Sequence, residues 1–199
     1  MKLHYSPTSP YVRKVNVLAL ELGLDAQIER ILTNPWEPDK ALLGNNPLSK
    51  VPTLITDDGL VLFDSPVICE YLDNEFGGNR LIPSYGQARW QALRLQALAD
   101  GILDAAILRF LERKREAKST EWDASQREAV VRALDALETE VASWGDTLTI
   151  GQIAAAVALG YLDFRFAEED WRPDRPRLTE WYSAFSRRHS MSTTVPKMP

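Results

Sequence analysis

A short hairpin signature places the strongest limit on how this chain can fold. Residues 51–63, VPTLITDDGLVLF, contain two apolar runs joined through Asp58-Gly59, a dipeptide suited to a type I′ turn. Two antiparallel strands are therefore predicted here, and the surrounding residues must supply the rest of a sheet.

Strand and helix signals alternate on both sides of this hairpin. Residues 2–5 and 26–32 are predicted strands, and residues 12–22 between them carry apolar side chains at helical spacing. Another helix follows the hairpin at residue 65. A right-handed crossover makes the first two strands parallel, so the order predicts a small mixed sheet with helices on its faces.

Strand signals disappear in the second half of the chain. The segment at 149–166 is apolar almost all round, which is typical of a central helix. We therefore expect a first domain at 1–77, a linker at 78–86 and an all-α domain at 87–199. Its predicted helices are 87–117, 123–144, 149–166 and 175–187.

Charge and composition argue against several classes of function. The net charge of −5 gives no support to nucleic-acid binding, and no segment approaches the ~18 uninterrupted apolar residues of a membrane span. The first residues lack the apolar core of a signal peptide.

Cys69 is the single cysteine, which precludes an internal disulfide and is expected to be a small buried hydrophobe. The single cysteine indicates a reducing, cytoplasmic setting. Only two histidines are present, His4 and His189, which argues against a histidine triad or a multi-histidine metal site, so we expect no bound metal.

A proline stands just before the first strand of the hairpin, in the segment KVPTL at 50–54. Composition alone favours a trans Val51–Pro52 bond, since only about 5–6% of X–Pro bonds are cis. In the cis form, Val51 would present its N–H and C=O groups to a neighbouring chain. A peptide ligand that binds as an extra strand requires such a pair.

The start of the next helix, FDSPV at 63–67, is a second candidate. Ser65 is suited to the N-cap with Pro66 at the first helical position, and this structural role is the simpler interpretation. A helix N-terminus with a free hydroxyl also suits a carboxylate, and Asp64 beside it suits an ammonium group. Together they would satisfy both charges of a zwitterionic amino-acid end.

The segment YSPTSPYVRKV at 5–15 leads from the first strand into the first helix. Taken alone, its prolines and hydroxyls indicate turn chemistry. In the predicted sheet, however, this segment lies beside Val51 and Ser65. Ser9 has no base to make it a nucleophile, but its hydroxyl can donate a hydrogen bond to a thiolate and lower the pKa of that thiol.

Three longer segments carry a family resemblance: SPYVRKVNVLALELG, NPLSKVPTLITDDGLVLFDSPVICEYLD and LADGILDAAI. With them the chain resembles the glutathione S-transferase superfamily, especially its bacterial serine-type, theta-like or tau-like members. The resemblance spans essentially the whole chain. It implies an α+β thioredoxin-like domain with a mixed sheet, followed by an all-α helical bundle.

The resemblance also implies roles in binding glutathione as co-substrate. Ser9 stands where the family has its activating serine or, in the omega-type classes, a cysteine, and it is expected to stabilise the glutathione thiolate. Val51, with Pro52 cis, is expected to pair through its backbone with the cysteinyl unit. Lys50 is expected to reach the glycyl carboxylate or the backbone nearby.

Three further positions follow from the same resemblance. Ser65 is expected to hold the γ-glutamyl carboxylate, and Asp64 the ammonium group, although most members have the longer Glu or Gln there. Asp104 matches an aspartate that touches the γ-glutamyl group across the subunit interface in several classes. Thr149 and Gln152 keep the form of a capping box, for which we expect a folding role.

The resemblance predicts a homodimeric glutathione transferase that conjugates the glutathione thiolate to small hydrophobic electrophiles. Tyr11 and the helix around 98–112 are expected to line the second-substrate site, where Arg109 suggests an anionic group on the ligand. Two alternatives stay open: a glutathione-dependent peroxide or disulfide reductase, and a non-enzymatic glutathione-binding module. Replacement of a family cysteine by Ser9 closes off mixed-disulfide chemistry at that residue.

Overall fold

The computed structural model describes residues 1–37 and 39–197, which form two compact units. Residues 1–85 and 189–197 make up one, called here the sheet unit, and residues 86–188 make up the helical unit. Within the described residues, no helix combines the length and apolar character needed to cross a membrane. The elements are β1 Lys2–Tyr5, α1 Pro10–Glu21, β2 Glu29–Leu32, α2 Lys40–Asn45, β3 Thr53–Ile55, β4 Val61–Leu62, α3 Ser65–Gly77, α4 Gly86–Glu112, α5 Thr120–Glu140, α6 Ile150–Arg165, α7 Pro176–Phe185 and α8 His189–Ser192.

The sheet unit is built on a mixed sheet with strand order β2-β1-β3-β4. As predicted, β1 and β2 are parallel and β3 is antiparallel to β4. The structure also pairs β3 with β1, in antiparallel direction. The register pairs His4 with Thr53 and Leu54 with Leu62. The C-terminal ends of β1 and β4 therefore lie beside the N-terminal start of β3. We call this edge the β3-entry end of the sheet.

Helices α1 and α3 pack against each other in the sheet unit, and their apolar stripes are buried. Fully burying one such aliphatic side chain contributes about 1.5–3 kcal/mol. The first turns of both helices are therefore anchored by the core of this unit. The completely buried residues include Leu3, Val15, Leu18, Leu54, Ile68 and Leu72.

The hairpin turn differs from the predicted type I′ form. The Thr56 N–H donates to the Leu60 carbonyl at 2.9 Å, so three residues lie between the paired positions. Of these, Gly59 alone has a positive φ, at 88°. A type I′ turn needs positive φ at both central residues, and here the glycine adopts the left-handed conformation while Asp58 avoids it.

The last described residues pack on α1, whereas the sequence assigned them to the all-α domain. Arg13 Nη2 donates to the Met191 carbonyl at 3.1 Å, and the Ser190 hydroxyl bonds to the Glu21 carboxylate. Arg13 and Met191 are 178 positions apart, and no local pattern indicates such a contact.

The helical unit surrounds α6, as predicted, since every residue of 150–162 is buried. Gly151 allows a close approach to α4, because a Cβ there would lie 2.8 Å from the Ala92 carbonyl oxygen. The capping box predicted at Thr149 is present, and the Gln152 side chain accepts the Thr149 N–H at 2.8 Å.

Helix α4 ends at Glu112, five residues before the predicted end. The Glu112 carboxylate accepts the Ser119 N–H at 2.6 Å, and the Ser119 hydroxyl caps α5. These two bonds close the segment 113–118 into a turn. The basic residues there favour a helix by propensity, but these two bonds override that preference.

Candidate functional site

Ser9 is the N-cap of α1 at the β3-entry end. Its Oγ accepts the Val12 N–H at 3.3 Å, and its carbonyl accepts the Arg13 N–H at 3.0 Å. Pro10 follows at the first helical position, where the missing N–H costs nothing. A hydroxyl accepts and donates at the same time, so this cap leaves the Ser9 proton available for a ligand atom. The structural role and the proposed chemical role are thus compatible.

Val51 lies close to the same helix start. Val12, Leu42 and Val51 form one buried apolar cluster, against which Tyr5 packs. The Val51–Pro52 bond is cis, so the trans expectation from composition is wrong and the cis expectation from the family resemblance is confirmed. The turn into β3 is therefore fixed beside the first turn of α1.

Two buried polar residues hold the turn that precedes Val51. Asn46 Nδ2 donates to the Lys50 carbonyl at 3.0 Å and to Thr53 Oγ1 at 3.1 Å, and Thr53 Oγ1 donates to the same carbonyl at 2.9 Å. Within residues 1–37 and 39–197, the Val51 N–H and C=O have no hydrogen-bond partner of their own. The backbone of Val51 is held in place and remains available to pair with an extended ligand.

Sequence reasoning missed Asn46 and Thr53. The signal for Asn46 lies in NNPLSKVPT, since asparagine favours turns in which its side chain bonds to nearby backbone groups. No local pattern indicates that Thr53 shares the same carbonyl.

The N-cap of α3 is Asp64, and the expectation that Ser65 caps it is wrong. The Asp64 carboxylate accepts the Ser65 N–H, Ser65 is the first helical residue, and Pro66 is the second. Aspartate and serine are equally good caps, so composition does not decide between them. Asp64 is exposed, which leaves its second carboxylate oxygen accessible.

Ser65 is completely buried, and its Oγ has no hydrogen-bond partner among the described residues. An unsatisfied buried hydroxyl costs about 1–3 kcal/mol. The Val67 N–H is the remaining donor of this first turn, since Asp64 takes the Ser65 N–H and Pro66 has none. An orphan hydroxyl beside a helix N-terminus is suited to an anionic ligand group.

Register brings three of the predicted segments together. Ser9 follows the end of β1, Val51 precedes the start of β3, and Ser65 follows the end of β4. All three residues therefore lie at the β3-entry end. The Lys50 side chain is exposed there. Asp104 belongs to the helical unit, where it lies on the exposed face of α4.

Arg109 does not have the role suggested by the sequence. It is 3% exposed and forms ion pairs with Asp123 at 3.2 Å and Glu169 at 2.8 Å, and its guanidinium lies 4.7 Å from the centre of the Phe166 ring. Two carboxylates satisfy the guanidinium, so it is a packing element of the helical unit and has no charge left for a ligand.

His4 is buried and has a structural role in the sheet unit. Its Nδ1 lies 2.9 Å from Thr33 Oγ1 and its Nε2 lies 3.1 Å from Asn45 Nδ2. Since an amide nitrogen only donates, Nε2 is the acceptor and Nδ1 carries the proton. Burial lowers the pKa of His4, against an opposing effect of Asp39. Among the described residues, no cluster of three or more acidic, histidine or cysteine side chains could hold a metal ion.

Family models match both units. The model of the glutathione S-transferase N-terminal domain matches residues 8–75, and that of the C-terminal domain matches residues 90–184. The chain is also 37% identical over 201 residues to YibF, an uncharacterised GST-like protein of Escherichia coli K12, with 98% of each chain covered.

Solved structures agree with these models. A glutathione transferase family member from Pseudomonas fluorescens Pf-5 with bound glutathione is 45% identical, covers 99% of both chains and has a TM-score of 0.90. A structure of a Pseudomonas fluorescens Pf-5 family member with bound S-(propanoic acid)-glutathione is 42% identical, covers all of both chains and has a TM-score of 0.90. The chain, with its thioredoxin-like domain and helical domain, belongs to the glutathione S-transferase superfamily.

Proposed function

We propose that this protein is a glutathione transferase that conjugates glutathione to small hydrophobic electrophiles. The observation that carries the proposal is the buried, unpartnered Ser65 hydroxyl at the end of the sheet where Ser9 and Val51 also lie. These positions supply an anion site, an open backbone pair and a hydroxyl donor. A γ-glutamyl tripeptide needs all three.

Glutathione would bind along the β3-entry end as a short extra strand. Its γ-glutamyl carboxylate accepts from the Ser65 hydroxyl, and its ammonium group lies by Asp64. Its cysteinyl unit pairs with the Val51 backbone, and Lys50 reaches the glycyl carboxylate. Asp104 of the partner subunit touches the γ-glutamyl group in a homodimer.

Catalysis would consist of thiolate stabilisation and positioning. The Ser9 hydroxyl donates to the glutathione sulfur near the positive end of α1, which favours the ionised thiol, and the thiol proton passes to solvent. In substitution, the sulfur forms a bond to carbon while the leaving group departs with its electron pair. When the electrophile is an activated double bond, the sulfur adds to one carbon and the neighbouring carbon takes a proton from water.

Three observations favour conjugation over disulfide reduction. Ser9 stands where a mixed disulfide would need a cysteine, and Cys69 is completely buried in α3. The ligand of one Pseudomonas fluorescens relative is a glutathione whose sulfur carries a propanoic acid group, which is a thioether.

We extend the proposal to a homodimer that acts in the cytoplasm in detoxification. Exposed apolar side chains on either side of β4 and in the first turn of α3 support an interface between copies: Leu60, Phe63 and Val67. Size-exclusion chromatography with light scattering tests this assembly.

A panel of three assays tests the activity: conjugation of a chloro-nitro-arene, reduction of an organic peroxide and reduction of a mixed disulfide. The proposal predicts glutathione-dependent turnover in the first assay, which Ser9→Ala reduces. Peroxide or disulfide turnover without conjugation would instead indicate a reductase.

Glutathione binding is tested independently by thermal unfolding. A ligand present at about 100 times its Kd adds about 2.7 kcal/mol of stability. Stabilisation by millimolar glutathione without turnover in any assay would indicate a binding module, and no stabilisation would contradict the proposal.

A further inference from the structure

A cavity of about 460 Å³ lies within the sheet unit along α1. Ser9, Arg13, Asn16 and Leu20 form its wall on the helix side, and their spacing places them on one stripe of α1. The other walls come from the segment after β1, from β2 and from the C-terminal segment that packs on α1. A volume of this size is typical of a small-molecule site.

Ser9, the residue proposed to stabilise the thiolate, lies in the lining at one end of this cavity. From Ser9 to Leu20 the helix rises about 16 Å at 1.5 Å per residue. A molecule of one ring and one short substituent can therefore lie along the stripe with its electrophilic carbon at Ser9.

Positive charge dominates the described lining of this cavity. Arg13, Arg30 and Lys197 are basic, and Asp25 is acidic. Asp25 forms an ion pair with Arg30, so these two charges balance each other. Lys197 is exposed and forms no ion pair with another described residue.

The C-terminal segment is held against the cavity by Arg13. Its Nη2 donates to the Met191 carbonyl at 3.1 Å and its Nε donates to Thr194 Oγ1 at 3.4 Å. Lys197 follows three residues after Thr194 and lines the cavity with it. Tyr5, Pro7 and Leu20 contribute apolar surface to the same walls.

We propose that this cavity binds the second substrate and selects electrophiles that carry a carboxylate on an apolar or aromatic body, with Lys197 as the specificity-determining residue. The inference rests on the proposed glutathione transferase function and deepens it. The apolar walls take the body of the substrate, and Lys197 supplies the charge that the sequence had attributed to Arg109.

A pair of electrophiles tests the inference: a chloronitrobenzoate and its methyl ester. The ratio of their kcat/KM values with glutathione is compared in the unaltered protein, Lys197→Ala, Lys197→Arg and Lys2→Ala. Lys2 is an exposed lysine at the opposite end of β1 from the cavity, so Lys2→Ala is the matched loss of charge. Dividing the acid-to-ester ratio of a variant by that of the unaltered protein cancels the difference in intrinsic reactivity between the two compounds.

An ion pair that is partly open to solvent changes an affinity by up to about fivefold. We expect Lys197→Ala to lower the acid-to-ester ratio of kcat/KM about three- to fivefold, because the KM for the acid rises. The ratio should stay unchanged in Lys197→Arg and in Lys2→Ala. An unchanged ratio in Lys197→Ala, or an equal loss for acid and ester, overturns the inference.

A binding measurement separates failure of this inference from failure of the proposed function. Calorimetry with nitrobenzoate and methyl nitrobenzoate, which lack the leaving group, needs no turnover. Tighter binding of the acid that is lost in Lys197→Ala supports the cavity even if no conjugation occurs. Equal binding of acid and ester contradicts it even if conjugation does occur.

Discussion

Val12 and Val51 belong to one buried apolar cluster, which fixes the first turn of α1 against the turn that enters β3. Since the Val12 N–H bonds to Ser9 Oγ, the same contact sets where the Ser9 hydroxyl lies relative to the Val51 backbone. A peptide that pairs with Val51 therefore meets the Ser9 hydroxyl within a short distance. The chemistry proposed for Ser9 depends on this packing.

Replacement of Ser9 separates the two roles of its hydroxyl. Ser9→Ala removes the helix cap, which costs about 1 kcal/mol of folding stability. It also removes the donor to sulfur, so the pKa of the bound glutathione thiol should rise and turnover at neutral pH should fall. Ser9→Thr keeps both functions and should stay close to the unaltered protein. Ultraviolet absorbance of the thiolate, titrated against pH, measures the shift, and identical titration curves for Ser9→Ala and the unaltered protein would remove Ser9 from the mechanism.

Asn46→Ala should weaken glutathione binding through a residue that touches no ligand. The change deletes the donors to the Lys50 carbonyl and Thr53, so the turn before Val51 loses its support. We expect the KM for glutathione to rise more than kcat falls, with a loss of about 1–3 kcal/mol in the free energy of unfolding. Asn74→Ala, at an exposed position of α3, is the control and should change neither constant.

Two glycine-to-alanine changes should have opposite effects on stability. In Gly151→Ala the new Cβ meets the Ala92 carbonyl oxygen at 2.8 Å, so α4 and α6 must separate, which costs about 1–3 kcal/mol. In Gly101→Ala nothing lies within 4 Å, and alanine is favoured in a helix by about 1 kcal/mol. Urea unfolding measures both, and equal stabilities for the two variants would contradict the packing described for Gly151.

His4 should make the fold sensitive to mild acid. Burial lowers the pKa of His4 below its ordinary value of 6.5, so the unfolded chain binds a proton more readily than the folded one. Stability is then complete above 6.5 and falls with decreasing pH below it, by at most about 1.4 kcal/mol per pH unit. Urea unfolding at several pH values should show this slope, and His4→Gln should reduce it. A slope that persists unchanged in His4→Gln would assign it to other groups.

Local patterns predicted the relative direction of the strands in two pairs, but not the order of the strands across the sheet. The Asp58-Gly59 dipeptide and the right-handed crossover rule each depend on a few consecutive residues, and both gave the correct pairing. Near-equal propensities gave errors of one residue: Asp64 and Ser65 are both good caps, and only the structure selects Asp64.

Contacts between distant residues were beyond sequence reasoning. Arg109 resembles a ligand-binding cation until Asp123 and Glu169, from other parts of the helical unit, are found beside it. Residues 189–197 join the sheet unit because Arg13 binds Met191 across most of the chain length. The C-terminal segment held by that contact forms one wall of the cavity along α1.

The central claim is that the β3-entry end holds glutathione by its γ-glutamyl carboxylate at Ser65. Calorimetric titration of Ser65→Ala with glutathione, beside Ser125→Ala as an exposed serine control, tests it most directly. Loss of a hydrogen bond to a charged group should weaken the Kd about ten- to a hundredfold, while removal of an unsatisfied hydroxyl should leave the unliganded protein at least as stable as before. A Ser65→Ala protein that binds glutathione as tightly as the unaltered protein would contradict the account.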